Sequence, residues 1–242
     1  MSKSRHMDKK ISVVLPGHNE EEHISSVLSS VRKHVDDVIF VDDGSKDGTL
    51  EIAKRSRATV LHHITNLGKG AALRTGCDYA VKNGADIIVV MDSDGQHDPS
   101  EIPNFLKSIS EGNDVVIGCR KWNSEMPLMM KVGNYGLYKI SSFFFKVDAK
   151  DTQSGYRAFT REAYEKIRWS SNDYSMESEM IARISSSGLR CSTIPIKTIY
   201  HDDYKGTTVI NGIIIAFNMI LWRIFGTADN KEKDEMVSIS RL

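Results

Sequence analysis

Ile87-Ile88-Val89-Val90-Met91-Asp92-Ser93-Asp94-Gly95-Gln96-His97-Asp98-Pro99 passes from unbroken hydrocarbon into a cluster of acids. The apolar run Ile87 to Met91 predicts a strand buried on both faces, as in a parallel sheet. It ends in two carboxylates with one residue between them, then Gly95, a carboxamide and a turn closed by Asp98-Pro99. Ligands of open α/β sheets collect at the carboxyl ends of strands, where Asp92 and Asp94 fall. Two hard anionic ligands with the Gln96 oxygen suit Mg²⁺ or Mn²⁺ carried in on a ligand's phosphates. An acidic turn capping the next helix, with Asp98 or Ser100 as N-cap, accounts for the same residues without a metal.

Upstream, three further strands end in a similar way. Ile11 to Leu15 is stopped by Pro16-Gly17, and His18-Asn19-Glu20-Glu21-Glu22 leads into a helical pattern of Ile24, Val27, Leu28 and Val31. Asn19 fits an N-cap there and the glutamates fit the positive end of the helix dipole. Equally, Asn19 or Glu20 could grip a base or ribose from this loop. Val38 to Val41 runs into Asp42-Asp43-Gly44-Ser45, either an acidic hold on a ribose hydroxyl or an Asx turn, and Asp47-Gly48-Thr49 opens the next helix. Thr59 to His62 is a weaker strand, followed by Asn66-Leu67-Gly68-Lys69-Gly70 and a helix from Ala71 to Val81. Glycines and Lys69 at a helix start suit an anion, though the glycines could serve only a tight turn. The spacing is not that of a P-loop.

Downstream come a helix from Glu101 to Ser110 and a fifth strand, Asp114 to Gly118, with Arg120 just beyond it. Five strands alternating with four helices predict an α/β fold, a doubly wound and mainly parallel sheet with helices on both faces. Leu128 to Phe145 is a long apolar pattern, and Asp151 to Arg157 is a polar turn followed by Ala158-Phe159. Arg120, Lys131 and Arg157 could make an anion site together, or each could be a surface charge. Tyr174 to Ser187 reads as a helix carrying Glu177 and Glu179, and Ser192 to Ile196 as an edge strand because it contains Pro195.

At 242 residues the chain can bury a substantial core. Its 32 basic and 32 acidic residues cancel, so no overall field points to nucleic acid. Cys77, Cys119 and Cys191 lack metal-ligand spacing and fit free thiols in a reducing compartment. Residues 1–10 read as a disordered leader without a signal core, 11–207 as the main domain, 208–226 as a hydrophobic helix and 227–242 as a polar tail. Val209 to Phe225 would form a helix about 25 Å long. That is short of the roughly 30 Å of a bilayer core, and Arg223 would lie inside it.

Taken together these pieces resemble the family 2 glycosyltransferases of the GT-A fold, most closely the dolichol-phosphate mannose synthase group. Pro16-Gly17-His18-Asn19-Glu20, Asp42 to Thr49, Asn66 to Gly70, Asp92 to Pro99 and Asp151 to Arg157 match in order, and the resemblance covers Ile11 to Phe225. It implies nucleotide-sugar contacts at Pro16, His18, Glu20, Asp43, Lys69, Asp92 and Ser93, with metal ligands Asp92, Asp94 and Gln96. It implies an acceptor-phosphate site at Arg120, Lys131 and Ser154, with Asp94 and Arg120 as the catalytic pair. Mannose synthases of this group carry an arginine and then a lysine in the loop after the last strand. With Gly206 as the anchor those places hold Asp203 and Val209, so a UDP-sugar fits as well as a GDP-sugar.

The activity implied is metal-dependent, inverting transfer of a hexose from a nucleotide sugar to a dolichyl or polyprenyl phosphate. Its product would be a lipid-phosphate sugar for glycan assembly such as protein glycosylation. A lipid phosphate is already a nucleophile and needs no strong base. It does require contact with a bilayer, which makes the protein peripheral on the cytoplasmic face of a membrane. Transfer to a glycan or small-molecule hydroxyl is the rival activity. It would need a carboxylate base, for which Glu177 or Glu179 could serve. A non-catalytic nucleotide-sugar module is the third possibility.

Overall fold

The computed structural model describes residues 9–120 and 151–197, together with Gly136, Tyr138, Lys139, Ser142, Phe143, Ile199, Asn218 and Trp222. Most of the expected leader, Lys131, the bulk of the Leu128–Phe145 and 208–226 segments and the 227–242 tail lie outside the described residues.

The central apolar run forms β4 (Ile87–Val90), every residue of it buried. Its neighbour β1 (Ile11–Gly17) pairs parallel to it on one side and parallel to β2 (Asp37–Asp42) on the other. β3 (Thr59–His62) continues that direction. Beyond β4 the order runs through β6 (Arg157–Thr160), β5 (Val115–Arg120) and β7 (Cys191–Ile196), giving β3-β2-β1-β4-β6-β5-β7. All pairings are parallel except those of β6, which is antiparallel to both β4 and β5.

Side chains alternate between two cores, as expected of a sheet covered on both faces. Val14, Ile88 and Val90 face a cluster with α3 (Lys69–Lys82), α5 (Arg161–Ile167) and α6 (Met176–Ser187). Val13, Leu15, Ile87 and Val89 face one built on α1 (Ile24–Val31) and α4 (Ile102–Ser110), with Ala53 of α2 (Thr49–Lys54) added. Trp222 is half-buried against the first cluster. Pro195 lies in β7 at the sheet edge, where a missing N–H costs no ladder bond.

Two differences from the sequence reading matter for the site. β6 was read only as a polar turn running into Ala158-Phe159. It is a four-residue strand that begins with an arginine, and four residues carry little alternation signal. β5 extends two residues past Gly118, so Arg120 is its last residue rather than a residue just beyond it. Because β2 and β3 lie on one side of β1, and β4 on the other, the strand order reverses between β1 and β4. That switch point is where the crevice of an open α/β sheet opens.

Candidate active site

The loop after β4 folds back on itself and is tied to β1. Ser93, buried, donates from Oγ to the Pro16 carbonyl at 2.6 Å. Gly95 has φ 78°, a left-handed conformation that glycine adopts without cost, and Asp94 Oδ1 then accepts the Gln96 N–H at 2.9 Å. Asp98 Oδ1 accepts the Ser100 N–H and caps the short 3₁₀ turn Pro99–Glu101, so the capping role holds for Asp98 alone and leaves Asp92 and Asp94 for other work. The Asp92 N–H donates to His97 Nδ1 at 3.2 Å, which puts the imidazole proton on Nε2. His97 is buried and stacks on Tyr156 at 5.0 Å. Burial, aided by Lys69 and Arg120 and opposed by Asp92 and Asp94, pushes its pKa below the ordinary histidine range.

Lys69 reaches across from the first residue of α3. Its Nζ lies 2.7 Å from Asp92 Oδ1 and 3.0 Å from Glu177 Oε1, and only 16% of its side chain is exposed. Burial would lower the ammonium's pKa, but Asp92 and Glu177 outweigh it and hold Lys69 above its ordinary value. Asp92 is held below its own, since Lys69, His97 and Arg120 overcome the burial that would raise it. Among the described residues, neither contacted carboxylate oxygen gains a well-angled hydrogen bond and Glu177 Oε2 has no hydrogen-bond partner. Gly155 packs on this group: a Cβ there would stand 2.6 Å from Asp92 Oδ2 and 2.9 Å from Lys69 Nζ.

These residues fit a divalent ion that arrives with a diphosphate. Asp92 Oδ1 is buried without a satisfying hydrogen bond, and Asp94 and Gln96 follow it on the same loop. Among the described residues no three His, Cys, Asp or Glu side chains converge as a self-sufficient metal cage. A ligand's phosphate oxygens would have to complete the shell, as is usual for Mg²⁺ sites.

The other wall of the cleft is built from the ends of β1 and β2. Asp43 is buried and fully occupied: Oδ1 accepts from His63 Nδ1 (2.7 Å) and the Leu67 N–H (2.9 Å), and Oδ2 from the Gly68 N–H (2.8 Å). Burial raises its pKa, but those donors together hold the carboxyl below the ordinary aspartate range. His63 passes the network on to Thr75 Oγ1 at 3.0 Å. Asp43 therefore shapes the 66–70 loop, and it meets His18 through its carbonyl, which accepts from Nδ1 at 2.9 Å.

Asn19 is not an N-cap. It takes φ 56°, its Oδ1 accepts the Lys46 N–H, and α1 starts only at Ile24 after His23. Its work is to stitch the loop after β1 to the loop after β2, as does the Glu20 N–H bonded to Thr49 Oγ1. Pro16, His18, Glu20, Asp43, Lys69, Asp92, Ser93, Asp94 and Gln96 all line one cleft of about 840 Å³.

The start of α3 is closed to anions. Gly70 and Ala71 N–H both donate to the Asn172 carbonyl, at 2.7 and 3.3 Å. A Cβ on Gly68 or Gly70 would come within 2.3 or 2.4 Å of the Asn172 or Ser171 carbonyl, so the glycines serve this close approach. The 170–172 segment is held by Glu179, which accepts from the N–H and hydroxyl groups of Ser170 and Ser171 and from Arg183. Only the Lys69 side chain carries positive charge from this turn into the cleft. Tyr174, half-exposed on the cleft wall with Lys69 Nζ 5.6 Å from its ring centroid, was not singled out from the sequence. No spacing rule marks it.

Three expectations on charge are revised. Arg157 belongs to no anion site: it is fully buried and donates to the carbonyls of Ser154, Glu177 and Thr152. Glu179 is buried with both oxygens occupied and is unsuited to act as a base, and Glu177 is buried against Lys69. Arg120 stands on the same rim, but Nε and Nη2 fork onto buried Asp151 at 2.6 and 2.9 Å. Ser154 is buried, its Oγ accepting the Tyr156 N–H, and neither Arg120 nor Ser154 lines the cleft.

A doubly wound sheet with a paired-aspartate cleft at its switch point is the frame of GT-A glycosyltransferases. The chain matches the family model "Glycosyl transferase family 2" over residues 12–168, and it belongs to that family: it is a glycosyltransferase. It is 33% identical to the UDP-N-acetylglucosamine–dolichyl-phosphate N-acetylglucosaminyltransferase of Methanococcus voltae, over 90% of this chain and 97% of the relative. It is 30% identical to the polyprenol monophosphomannose synthase of Mycolicibacterium smegmatis, over 90% and 88%. In fold it is similar to glucosyl-3-phosphoglycerate synthase from Mycobacterium tuberculosis, crystallised with Mn²⁺, UDP and phosphoglyceric acid. That match has TM-score 0.68 at 22% identity, covering 92% of this chain and 81% of the other.

Proposed function

We propose that this protein transfers a hexose from a UDP- or GDP-sugar to a dolichyl or polyprenyl phosphate, with inversion and with Mg²⁺ or Mn²⁺ as cofactor. The observation that carries the reading is the convergence of Asp92, Asp94 and Lys69 at the switch-point end of β4. Relatives of nearly the same length named for lipid-phosphate acceptors support the acceptor class. The cation, when bound, supplies charge against the departing diphosphate.

The chain's own residues do the rest. The walls from Pro16 to Glu20 and around Asp43 hold the nucleotide, with Ser93 fixing the loop of acids against β1. Asp92, Asp94 and Gln96 would hold the ion, and Lys69 adds positive charge beside the diphosphate. The lipid phosphate oxygen attacks the anomeric carbon, and the carbon–oxygen bond to the diphosphate breaks with its electron pair leaving on the diphosphate. No proton needs removing from such a nucleophile. That suits a site whose deep carboxylates, Glu177 and Glu179, are committed to Lys69 and to the 170–172 segment. On the acceptor side Arg120, oriented by Asp151, and Lys131 are our candidates for phosphate contact.

Among the described residues no helix is long and apolar enough to cross a membrane. We assign the protein a peripheral position on the cytoplasmic face, supported by the apolar content of residues 128–145 and 209–225. The test is transfer by purified protein with Mn²⁺, a panel of UDP- and GDP-sugars, and either a polyprenyl phosphate or free glycans. Metal-dependent label in the lipid extract supports the reading; label in the glycan alone defeats it.

A further inference from the structure

Three elements meet at Asp92: the end of β4, the first residue of α3 and the first turn of α6. Lys69 Nζ sits 2.7 Å from Asp92 Oδ1, on the carboxylate a divalent ion would use. An ammonium and a divalent cation held at contact distance by one carboxylate compete for it, because like charges that close repel in a partly buried site. The ammonium therefore has to have somewhere to go. Glu177 supplies it: 2% of its side chain is exposed, Oε1 is already 3.0 Å from Nζ, and Oε2 has no hydrogen-bond partner among the described residues. A buried carboxylate needs a charge partner, so Glu177 can retain the ammonium when it leaves Asp92. Gly155 lets the backbone pack directly on this pair, where a Cβ would meet both the Asp92 carboxylate and Lys69 Nζ.

Resting on the divalent-cation reading above, we propose that Lys69 is a resident stand-in for the metal. In the empty cleft it neutralises Asp92. When a nucleoside diphosphate enters, Lys69 withdraws from Asp92, stays paired with Glu177 and turns its ammonium toward the phosphates, and the ion takes the vacated oxygen. Glu177 is a positioning residue in this scheme and touches neither ion nor substrate. The consequence is coupling: metal and diphosphate bind together, and each alone binds weakly.

The experiment is a Mn²⁺ titration of the full chain followed by loss of the free-ion EPR signal, with and without UDP or GDP. The informative protein is the double variant Lys69→Met with Glu177→Gln. It leaves the net charge of the site unchanged, so a gain in affinity reports release of the Asp92 oxygen and not a shifted field. The expectation is Mn²⁺ binding without nucleotide on the order of tenfold tighter than wild type, and a correspondingly smaller gain on adding diphosphate. Lys69→Arg, which keeps a cation on Asp92, should stay as weak as wild type. A folded double variant that binds free Mn²⁺ no better than wild type overturns the proposal. So does tight Mn²⁺ binding by wild type without any diphosphate, a measurement that needs no variant to fold. Wild type taking up no Mn²⁺ even with UDP or GDP would instead remove the cation reading itself, and the stand-in with it.

Discussion

Replacing Glu179 by Gln should loosen the cleft from behind. Glu179 Oε1 accepts from the Ser170 N–H (2.9 Å), the Ser170 hydroxyl (3.0 Å) and Arg183 (2.9 Å). Its Oε2 accepts from the Ser171 N–H (2.8 Å) and hydroxyl (2.6 Å). Glutamine keeps one acceptor and turns the other into a donor that faces two donors. Hydrogen bonds to a buried charge contribute about 1.5–3 kcal/mol each, and the losses do not add, so we expect a total of about 2–4 kcal/mol. At about 2–4 °C per kcal/mol for a domain of this size, that is roughly 10 °C in Tm.

The effect should depend on pH in one direction. Burial raises the Glu179 carboxyl, but the serine and arginine donors outweigh it and hold the pKa below the ordinary 4.5. Its stabilisation is therefore fully present above that value and lost as pH falls through the lowered one. Chemical denaturation of both proteins from pH 7 to 3 should show a full gap at neutrality that closes in acid. A gap that is constant across the range, or one under about 0.5 kcal/mol at pH 7, would refute the assignment of these bonds to an ionised Glu179. Because Asn172 positions the α3 turn, the variant's KM for the nucleotide sugar should also rise.

Asp94→Asn should abolish transfer while far-UV CD and the melting curve stay near wild type, and EDTA should reproduce the loss in wild type. Gly155→Ala would put a methyl group 2.6 Å from the Asp92 carboxylate; transfer should fall at least tenfold with little change in overall fold, read by kinetics beside CD. Arg120→Lys keeps the charge but loses the fork onto Asp151, so the lipid-phosphate KM should rise more than the nucleotide-sugar KM when each substrate is varied.

The five alternating strands and both helical layers were legible because buried parallel strands are unbroken apolar runs that end in Gly, Asp or Pro. Val38 to Val41 before Asp42 and Ile87 to Val90 before Asp92 are of this kind. The rim of the sheet, and with it the cleft from Pro16 to Gln96, followed from strand polarity. What stayed hidden depends on backbone groups or on distant partners. The Asn172 carbonyl that closes the α3 turn leaves no side-chain signature, and Arg157 looks like a surface charge until three carbonyls surround it. The Lys69–Glu177 pair spans two elements far apart in the chain, and no periodicity connects them. Asn19 was misjudged because a residue that fits an N-cap also tolerates left-handed backbone, and the turn used the second property.

The central claim is that the acceptor's phosphate oxygen is the nucleophile on a metal-bridged nucleotide sugar. ³¹P NMR of the lipid product, extracted after reaction with Mn²⁺ and a polyprenyl phosphate, tests it most directly. The account predicts that the phosphomonoester resonance is replaced by a phosphodiester coupled to an anomeric proton of inverted configuration, and that EDTA prevents the change. A monoester that persists while sugar accumulates on a hydroxyl acceptor, or a diester formed equally well in EDTA, would contradict it.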